Sequence, residues 1–364
     1  MGTQRVYNFA AGPSQLPLEV LERAQKEMLN YHSSGMSVME MSHRSSIFHS
    51  IYVHTDEAFR KVMNVPDNYD VLYLTGGGST QFAMVPMNLI GRTKKADYAL
   101  TGNFSEKAYE EAKRYGNVRV AFSDKENGYH HIPRQGEIVV DPDASYFHYC
   151  ANNTIYGTEW HYVPDTGNVP LVADMSSDIT SAKVDVSKFA LIYAGAQKNM
   201  APAGVTVVIL RKDLDLRPLS YTPTMLRYKT HIDKESMYNT PPCWQIYMLG
   251  LQMDWILEQG GIDEMERRKK ERAGLLYGTL DNSSLFKLHA DKESRSYMNV
   301  TFRTGDENLD KEFVAEAAEQ GLVSLAGHRL TKGMRASIYN AMPVEGVKKL
   351  CSFIETFDAA HRKG

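Results

Sequence analysis

The sequence predicts an α/β protein: a large domain on a mostly parallel seven-stranded sheet flanked by helices, then a smaller C-terminal α+β domain. Three observations predict it. Seven short β-rich runs recur between residues 69 and 210, several nearly all apolar, as strands buried on both faces are. Helical patterns lie between some of these runs, so crossover connections and parallel pairing follow. The chain has 364 residues, more than one ordinary core accommodates, so two domains are expected.

The elements follow in order. Pro17 ahead of Leu18, Leu21, Ala24, Met28 and Leu29 reads as a helix with proline in its first turn. Ile47, Ile51, Ala58 and Val62 give a second helix. The β-rich runs are 69–75, 98–101, 118–122, 146–150, 171–175, 191–194 and 205–210. A helix over 105–115 is expected between two of them, with Ser105 as its N-cap. After Pro241-Pro242 a helix over 245–258 should stop at Gly260-Gly261, because paired glycines break helices. A charge-rich helix over 263–277 then bridges the domains. The remainder carries strands at 297–302, 323–324 and 335–338, and helices at 310–319 and 347–361. The expected division is a large domain over 16–260 and a small one over 261–364, joined by the segment 1–15.

Charge narrows the function. The 41 Lys+Arg nearly cancel the 44 Asp+Glu, leaving −3, so nothing electrostatic points to nucleic acid. Hydrophobic residues at 43% and charged residues at 23% exclude disordered and fibrous classes. No apolar run approaches the roughly 18 residues a membrane helix needs, and the first residues lack a signal-peptide core. Cys150, Cys243 and Cys351 are too few and too scattered for a disulfide framework or a zinc site. A soluble, cytoplasmic protein is expected, with neither membrane nor nucleic-acid partner.

Three motifs carry chemistry. Lys198, in Ala194-Gly195-Ala196-Gln197-Lys198-Asn199, follows an apolar strand among small residues. Desolvation there lowers an amine's pKa and makes it a nucleophile toward an aldehyde, whereas the alternative is a solvent-facing loop lysine. Asp174 ends another apolar strand, where ligands bind in open α/β sheets. Its alternatives are a helix cap and a carboxylate for a protonated pyridine nitrogen, which with a Schiff-base lysine is the pyridoxal-phosphate pattern. Gly76-Gly77-Gly78-Ser79 follows a third strand and offers either a tight turn or backbone N–H groups to a phosphate. His49 and His54, five apart, face different sides of a helix, so no metal site is expected.

With these motifs the chain resembles the class V aminotransferases, fold-type I pyridoxal-phosphate enzymes. The resemblance runs through Asn8–Pro13, Ser42-His43-Arg44, the triple glycine, Thr101-Gly102 with Ser105–Ala108, and Asn153–Gly157. It continues through Ala173–Ser177, Gly195–Asn199, Asn239–Pro242, Gly327-His328-Arg329 and Gly333–Ala341. Within that family it is similar to the branch that makes O-phospho-L-serine. The resemblance implies ping-pong amino transfer between L-glutamate and 3-phosphohydroxypyruvate, giving 2-oxoglutarate, in serine biosynthesis. A second acceptor, in pyridoxine biosynthesis, would be the ketone of 4-phosphohydroxythreonine.

The same resemblance implies one pyridoxal 5'-phosphate per subunit, as a Schiff base on Lys198, with Asp174 at the ring nitrogen and Thr154 at the phenolic oxygen. Phe104, where the family usually has tryptophan, would stack on the ring. Gly78, Ser79 and Gln197 would hold the phosphate, with Asn239 and Thr240 reaching across a homodimer. Arg335 would take the substrate α-carboxylate, and its planar fork suits that anion. His43-Arg44 and His328-Arg329 would converge on the distal anion across the subunit interface. Rival readings are a cysteine desulfurase, an alanine–glyoxylate aminotransferase and a non-catalytic anion-binding protein. A desulfurase needs a reactive cysteine, and a glyoxylate enzyme has no need of two His-Arg pairs.

Overall fold

The computed structural model describes residues 5–361. Residues 1–4 and 362–364, which include the start read for a leader and the two ends of the expected small domain, lie outside the described residues. The chain opens with β1 (Tyr7–Asn8) and α1 (Leu18–Glu27). Pro17 stands at the N-cap of α1 rather than in its first turn. The helix buries Val20 and Ala24, while Leu29, expected on its apolar face, lies beyond its end and is exposed. In α2 (Ser46–Met63), Ser45 caps the start by accepting from the Phe48 amide at 3.2 Å.

The central sheet begins with β2 (Tyr69–Leu74), followed by α3 (Gly77–Leu89), β3 (Lys95–Leu100), α4 (Asn103–Ala112) and β4 (Asn117–Ser123). It continues with β5 (Phe147–Cys150), the small hairpin β6 (Asn152–Asn153) and β7 (Thr158–Glu159), then β8 (Leu171–Asp174), β9 (Leu191–Gly195) and β10 (Thr206–Arg211). The strand order is β2-β10-β9-β8-β5-β3-β4, so all seven expected strands share one sheet. Every pairing is parallel except those of β10, which runs antiparallel to both β2 and β9. Successive side chains alternate between faces. Val71, Tyr73, Ala173, Ile192 and Val207 join one apolar cluster with α2; Leu72, Leu74, Val172, Leu191 and Val208 join another with α3.

Strand β4 is the sheet edge, and its residues are mostly exposed, Val120 at 37%. One local expectation is corrected. Ser105 is not the N-cap of α4, which starts two residues earlier after Gly102. From inside the first turn, the Ser105 hydroxyl instead accepts from the Thr101 and Gly102 amides, each at 3.1 Å.

Beyond the sheet come the short α5 (Tyr228–Ile232), α6 (Cys243–Glu258) and α7 (Gly261–Asp281). The break falls at Gly260, left-handed at φ 107°, as the paired glycines predict. The rest is β11 (Lys287–Leu288), β12 (Asn299–Arg303), α8 (Glu307–Glu319), β13 (Leu322–Val323), β14 (Met334–Ser337) and α9 (Val344–His361). β11, β12 and β14 form an antiparallel sheet, whereas β13 pairs with β1 in parallel, Leu322 opposite Tyr7. A third apolar cluster gathers Phe9 with Leu276, Val300, Phe313, Leu322 and Phe353. Among the described residues no helix is long and apolar enough to cross a membrane, and no cluster of His, Cys, Asp or Glu could hold a metal.

Strand direction positions the site. β2, β3, β5, β8 and β9 all run the same way, so the residues that follow them emerge at one edge of the sheet. Ligands bind outside the carboxyl ends of such strands. Only an antiparallel neighbour can be reached by a short return. The antiparallel β10 therefore lets the 196–205 connection stay at that edge, and Lys198 sits on it.

Candidate active site

Lys198 meets Asp174 and Thr154 at this edge because β9, β8 and β5 are adjacent. The Lys198 Nζ donates to the Thr154 hydroxyl at 2.6 Å and lies 5.0 Å from the Phe104 ring centroid. Burial pushes the Lys198 amine below the ordinary lysine range, against the opposing pull of Asp174. The main chain is pinned as well: the Ser14 amide donates to the Gln197 carbonyl at 3.0 Å, and the Ser14 hydroxyl to the Lys198 carbonyl.

Asp174 is the last residue of β8 and only 5% exposed. Its Oδ1 accepts from the Ser176 amide at 2.9 Å and closes a turn, not a helix, so the helix-cap alternative is not met. Its Oδ2 accepts no hydrogen bond from the described residues and lies 3.8 Å from where a Cβ on Gly78 would stand. One carboxylate can therefore close the turn and still accept a ring N–H.

Thr154 lies between β6 and β7, and its hydroxyl donates to Ser177 Oγ at 3.0 Å. The Ser177 hydroxyl donates in turn to the Asn152 carbonyl at 2.9 Å, and the Asn152 side-chain amide reaches Asn299 Oδ1 at 2.8 Å. The hairpin is anchored by a buried ion pair, Lys269 to Glu159 at 2.6 Å. Sequence reasoning missed Ser14, Ser177 and Asn299 as supports, although Ser177 falls in a quoted motif.

Gly76 caps α3 in the left-handed conformation, φ 93°, and a Cβ there would stand 1.9 Å from the Thr80 hydroxyl. The first helical bond runs from the Thr80 amide to the Gly76 carbonyl at 3.2 Å. The amides of Gly77, Gly78 and Ser79 thus precede any intrahelical partner and, with the helix dipole, suit a phosphate. Gln197 is half-buried, and its side chain makes no hydrogen bond among the described residues. Asn239 and Thr240 are exposed, and Asn239 shares a cavity of about 150 Å³ with Gly76 and Thr80.

Arg335, on β14, is half-buried, and one Nη donates to the Thr154 carbonyl at 3.3 Å. Burial pulls its guanidinium below the usual arginine range, and it makes no ion pair among the described residues. Burial likewise lowers His328, and the nearby charges of Arg335, Arg329 and Lys107 lower it further. A cationic field therefore faces the space beside Lys198, and Lys107 is a member that sequence reasoning did not assign. His43 and Arg44 precede α2, with no contact to Lys198 or Arg335 within the described chain. His43 Nε2 is enclosed without a partner, and Arg44 is exposed.

The donor set fits pyridoxal phosphate. It combines a desolvated amine, an aromatic face 5.0 Å from it, a carboxylate oxygen left unpartnered and a glycine-opened helix start. A mostly parallel sheet carrying that set at its carboxyl edge defines a pyridoxal-phosphate enzyme. The chain belongs to the class-V aminotransferase family, whose model matches residues 6–350.

It is 52% identical over 361 residues to a phosphoserine aminotransferase of Lysinibacillus sphaericus, covering 99% of this chain and 100% of that one. A solved phosphoserine aminotransferase of Bacillus circulans subsp. alkalophilus superposes with a TM-score of 0.96 at 45% identity, covering 98% of this chain and 99% of that one. A solved, PLP-bound phosphoserine aminotransferase of Trichomonas vaginalis gives 0.93 at 38% identity, covering 96% and 100%.

Proposed function

We propose that this chain transfers the amino group of L-glutamate reversibly to 3-phosphohydroxypyruvate, giving 2-oxoglutarate and O-phospho-L-serine, as a phosphoserine aminotransferase does. One observation carries the reading: a desolvated lysine amine lies near Arg335, a half-buried guanidinium with no ion pair among the described residues, and Arg335 and Arg329 both act on His328, a grouping that suits a substrate with two anionic ends. Full-length relatives of that name support it.

Bound pyridoxal phosphate supplies a carbonyl that exchanges amines and a ring that accepts the electron pair left when Cα loses its proton. Lys198, whose amine burial shifts toward its neutral form, would be the nucleophile toward that carbonyl. Once free, its amine would take the proton from the substrate Cα and deliver it two bonds away, to the carbon beyond the amino nitrogen. Thr154 orients the amine and reaches the phenolic oxygen. Asp174 Oδ2 would accept from the ring N–H and favour the protonated nitrogen. Phe104 would cover one ring face, with less area than an indole and no N–H to donate. Gly78, Ser79 and Gln197 would hold the phosphate, joined by Asn239 and Thr240 of the partner subunit.

Arg335 takes the α-carboxylate of both amino acids. His328 and Arg329, with His43 and Arg44 of the partner subunit, take the distal phosphate or γ-carboxylate. The exposure of Asn239, Thr240 and Arg44 in a single chain supports a homodimer with shared sites. The grouping of Phe9 with residues 273–357 in one apolar cluster supports a small domain that recruits the N-terminal segment. A cytoplasmic setting, and a second use on 4-phosphohydroxythreonine chemistry, belong to the same reading.

The desulfurase alternative is disfavoured by the thiols. Burial pushes Cys150 far above the ordinary thiol range and raises Cys243 and Cys351, so none is poised as a thiolate. A half-reaction titration followed by visible absorbance tests the proposal. Glutamate and phosphoserine should convert the bound cofactor at low concentration, and alanine and cysteine should not. Equal conversion by alanine would overturn it.

A further inference from the structure

Lys107 stands one helical turn beyond Phe104 on α4, so the two side chains share a face of the helix. The Lys107 side chain is exposed, and its Nζ lies 5.7 Å from the Phe104 ring centroid. Lys198 Nζ approaches the same ring to 5.0 Å from the 196–205 connection. Two amines from different parts of the chain therefore flank one aromatic side chain, and the mechanism above uses only one of them.

The carboxylates of α4 do not claim Lys107. Glu106 is paired with Lys125 and accepts from the Tyr129 hydroxyl at 3.1 Å. Glu110 is paired with Lys113 at 2.9 Å, and Glu111 accepts from the Tyr115 hydroxyl at 2.7 Å with Arg114 at 3.4 Å. Beyond its contact with the ring, Lys107 makes no ion pair or hydrogen bond among the described residues.

Its charge reaches the segment between β13 and β14. After burial, Arg335, Arg329 and Lys107 in turn lower His328, and Arg335 also acts on Lys198. Helix α4 thus adds a free cation to the group that β14 and the loop before it begin.

The two amino acids differ at the end this group would meet. A phosphate monoester carries nearly two negative charges at neutral pH, whereas a γ-carboxylate carries one. Coulomb energy scales with the product of the charges. An exposed ammonium therefore favours the phosphate by about twice the free energy, so the fold-change for phosphate is roughly the square of that for carboxylate. A compact ammonium with rotatable donors needs no fixed fork, so it suits the phosphate without excluding the carboxylate.

We propose that Lys107 is a specificity-determining residue, whose ammonium meets the distal anion of the substrate and favours phosphate over carboxylate. This role rests on the amino-transfer reading above. It is separate from that of Arg335, which meets an α-carboxylate common to both amino acids.

Half-reactions of the holoenzyme with phosphoserine and with glutamate, followed by visible absorbance, test it. Lys107→Met keeps the stem against Phe104 and removes the charge. It should lower kcat/KM about threefold for glutamate and about tenfold for phosphoserine, mostly through KM. Lys107→Arg should keep the wild-type ratio of the two. Added salt should narrow the difference between wild type and Lys107→Met on phosphoserine. Equal losses on both substrates would mean that Lys107 only supports Phe104, and would overturn the proposal. So would an unchanged Lys107→Met, or a Lys107→Arg that behaves like Lys107→Met. Lys107→Gln should give the same unequal loss, so the outcome does not hang on one variant folding. A wild-type holoenzyme that converts neither substrate overturns the amino-transfer reading itself. A wild type that converts both, with equal losses in the variants, overturns only the role of Lys107.

Discussion

The Lys198 amine lies 2.6 Å from the Thr154 hydroxyl, which in turn donates a hydrogen bond to Ser177 Oγ 3.0 Å away. This relay fixes where the amine points before any substrate arrives. Thr154→Val keeps the side-chain shape and removes the hydroxyl. The glutamate half-reaction should slow by about tenfold or more with the cofactor still bound. Thr154→Ser should restore most of the rate. Stopped-flow absorbance measures both, and an unchanged Thr154→Val rate would remove Thr154 from the mechanism.

Arg335 is half-buried with no carboxylate partner among the described residues, so a substrate carboxylate would be its counter-ion. Arg335→Ala should lower kcat/KM for glutamate and phosphoserine together, by about 10- to 100-fold each. Arg335→Lys should not rescue, since an ammonium lacks the planar fork. Loss of only one substrate would contradict a shared carboxylate site.

The proposal that the sites are shared between subunits makes a prediction about mixtures. Lys198→Ala and Arg44→Ala homodimers should each be nearly inactive. Hybrid dimers, formed by unfolding and refolding the two together, contain one site with both Lys198 and Arg44 intact. Random assembly should recover about a quarter of the wild-type activity. No recovery, with hybrid dimers shown to have formed, would place Arg44 in its own subunit's site.

His148, fully enclosed on β5, stacks on Tyr98 at 4.7 Å and bonds the Tyr193 hydroxyl at 2.9 Å. Burial lowers it from 6.5 to about 3. Between those values the unfolded chain binds a proton that the folded chain refuses. This contribution to stability is therefore complete above about pH 6.5 and is lost on acidification toward about 3, by about 1.4 kcal/mol per pH unit. Urea unfolding of His148→Phe across that window should show a slope shallower by one proton. An identical slope would contradict the assignment.

Much of the large domain was legible because strands buried on both faces leave short apolar runs, and all seven occur in the sheet. The antiparallel sense of β10 was not legible, since a buried strand's composition is indifferent to direction. Neither was the β1–β13 pairing, which joins Tyr7 to Leu322 across most of the chain on two residues per strand. Ser105 was misplaced because a serine that closes the preceding turn leaves the same local pattern as one that caps the helix. At the site, Lys198 and Asp174 could be proposed from their places at strand ends, and Arg335 from the family resemblance. Ser14 and Asn299 could not, because their roles exist only once distant segments meet at Lys198 and Asn152.

The central claim is that Lys198 is the amine that holds the cofactor. Borohydride reduction of the coloured holoenzyme, followed by peptide mass mapping, tests it most directly. The expected result is one reduced pyridoxyl-phosphate adduct per chain, on the peptide containing Lys198, and no adduct in Lys198→Ala. An adduct on any other lysine, or a wild-type protein that takes up the cofactor without being labelled, would contradict it.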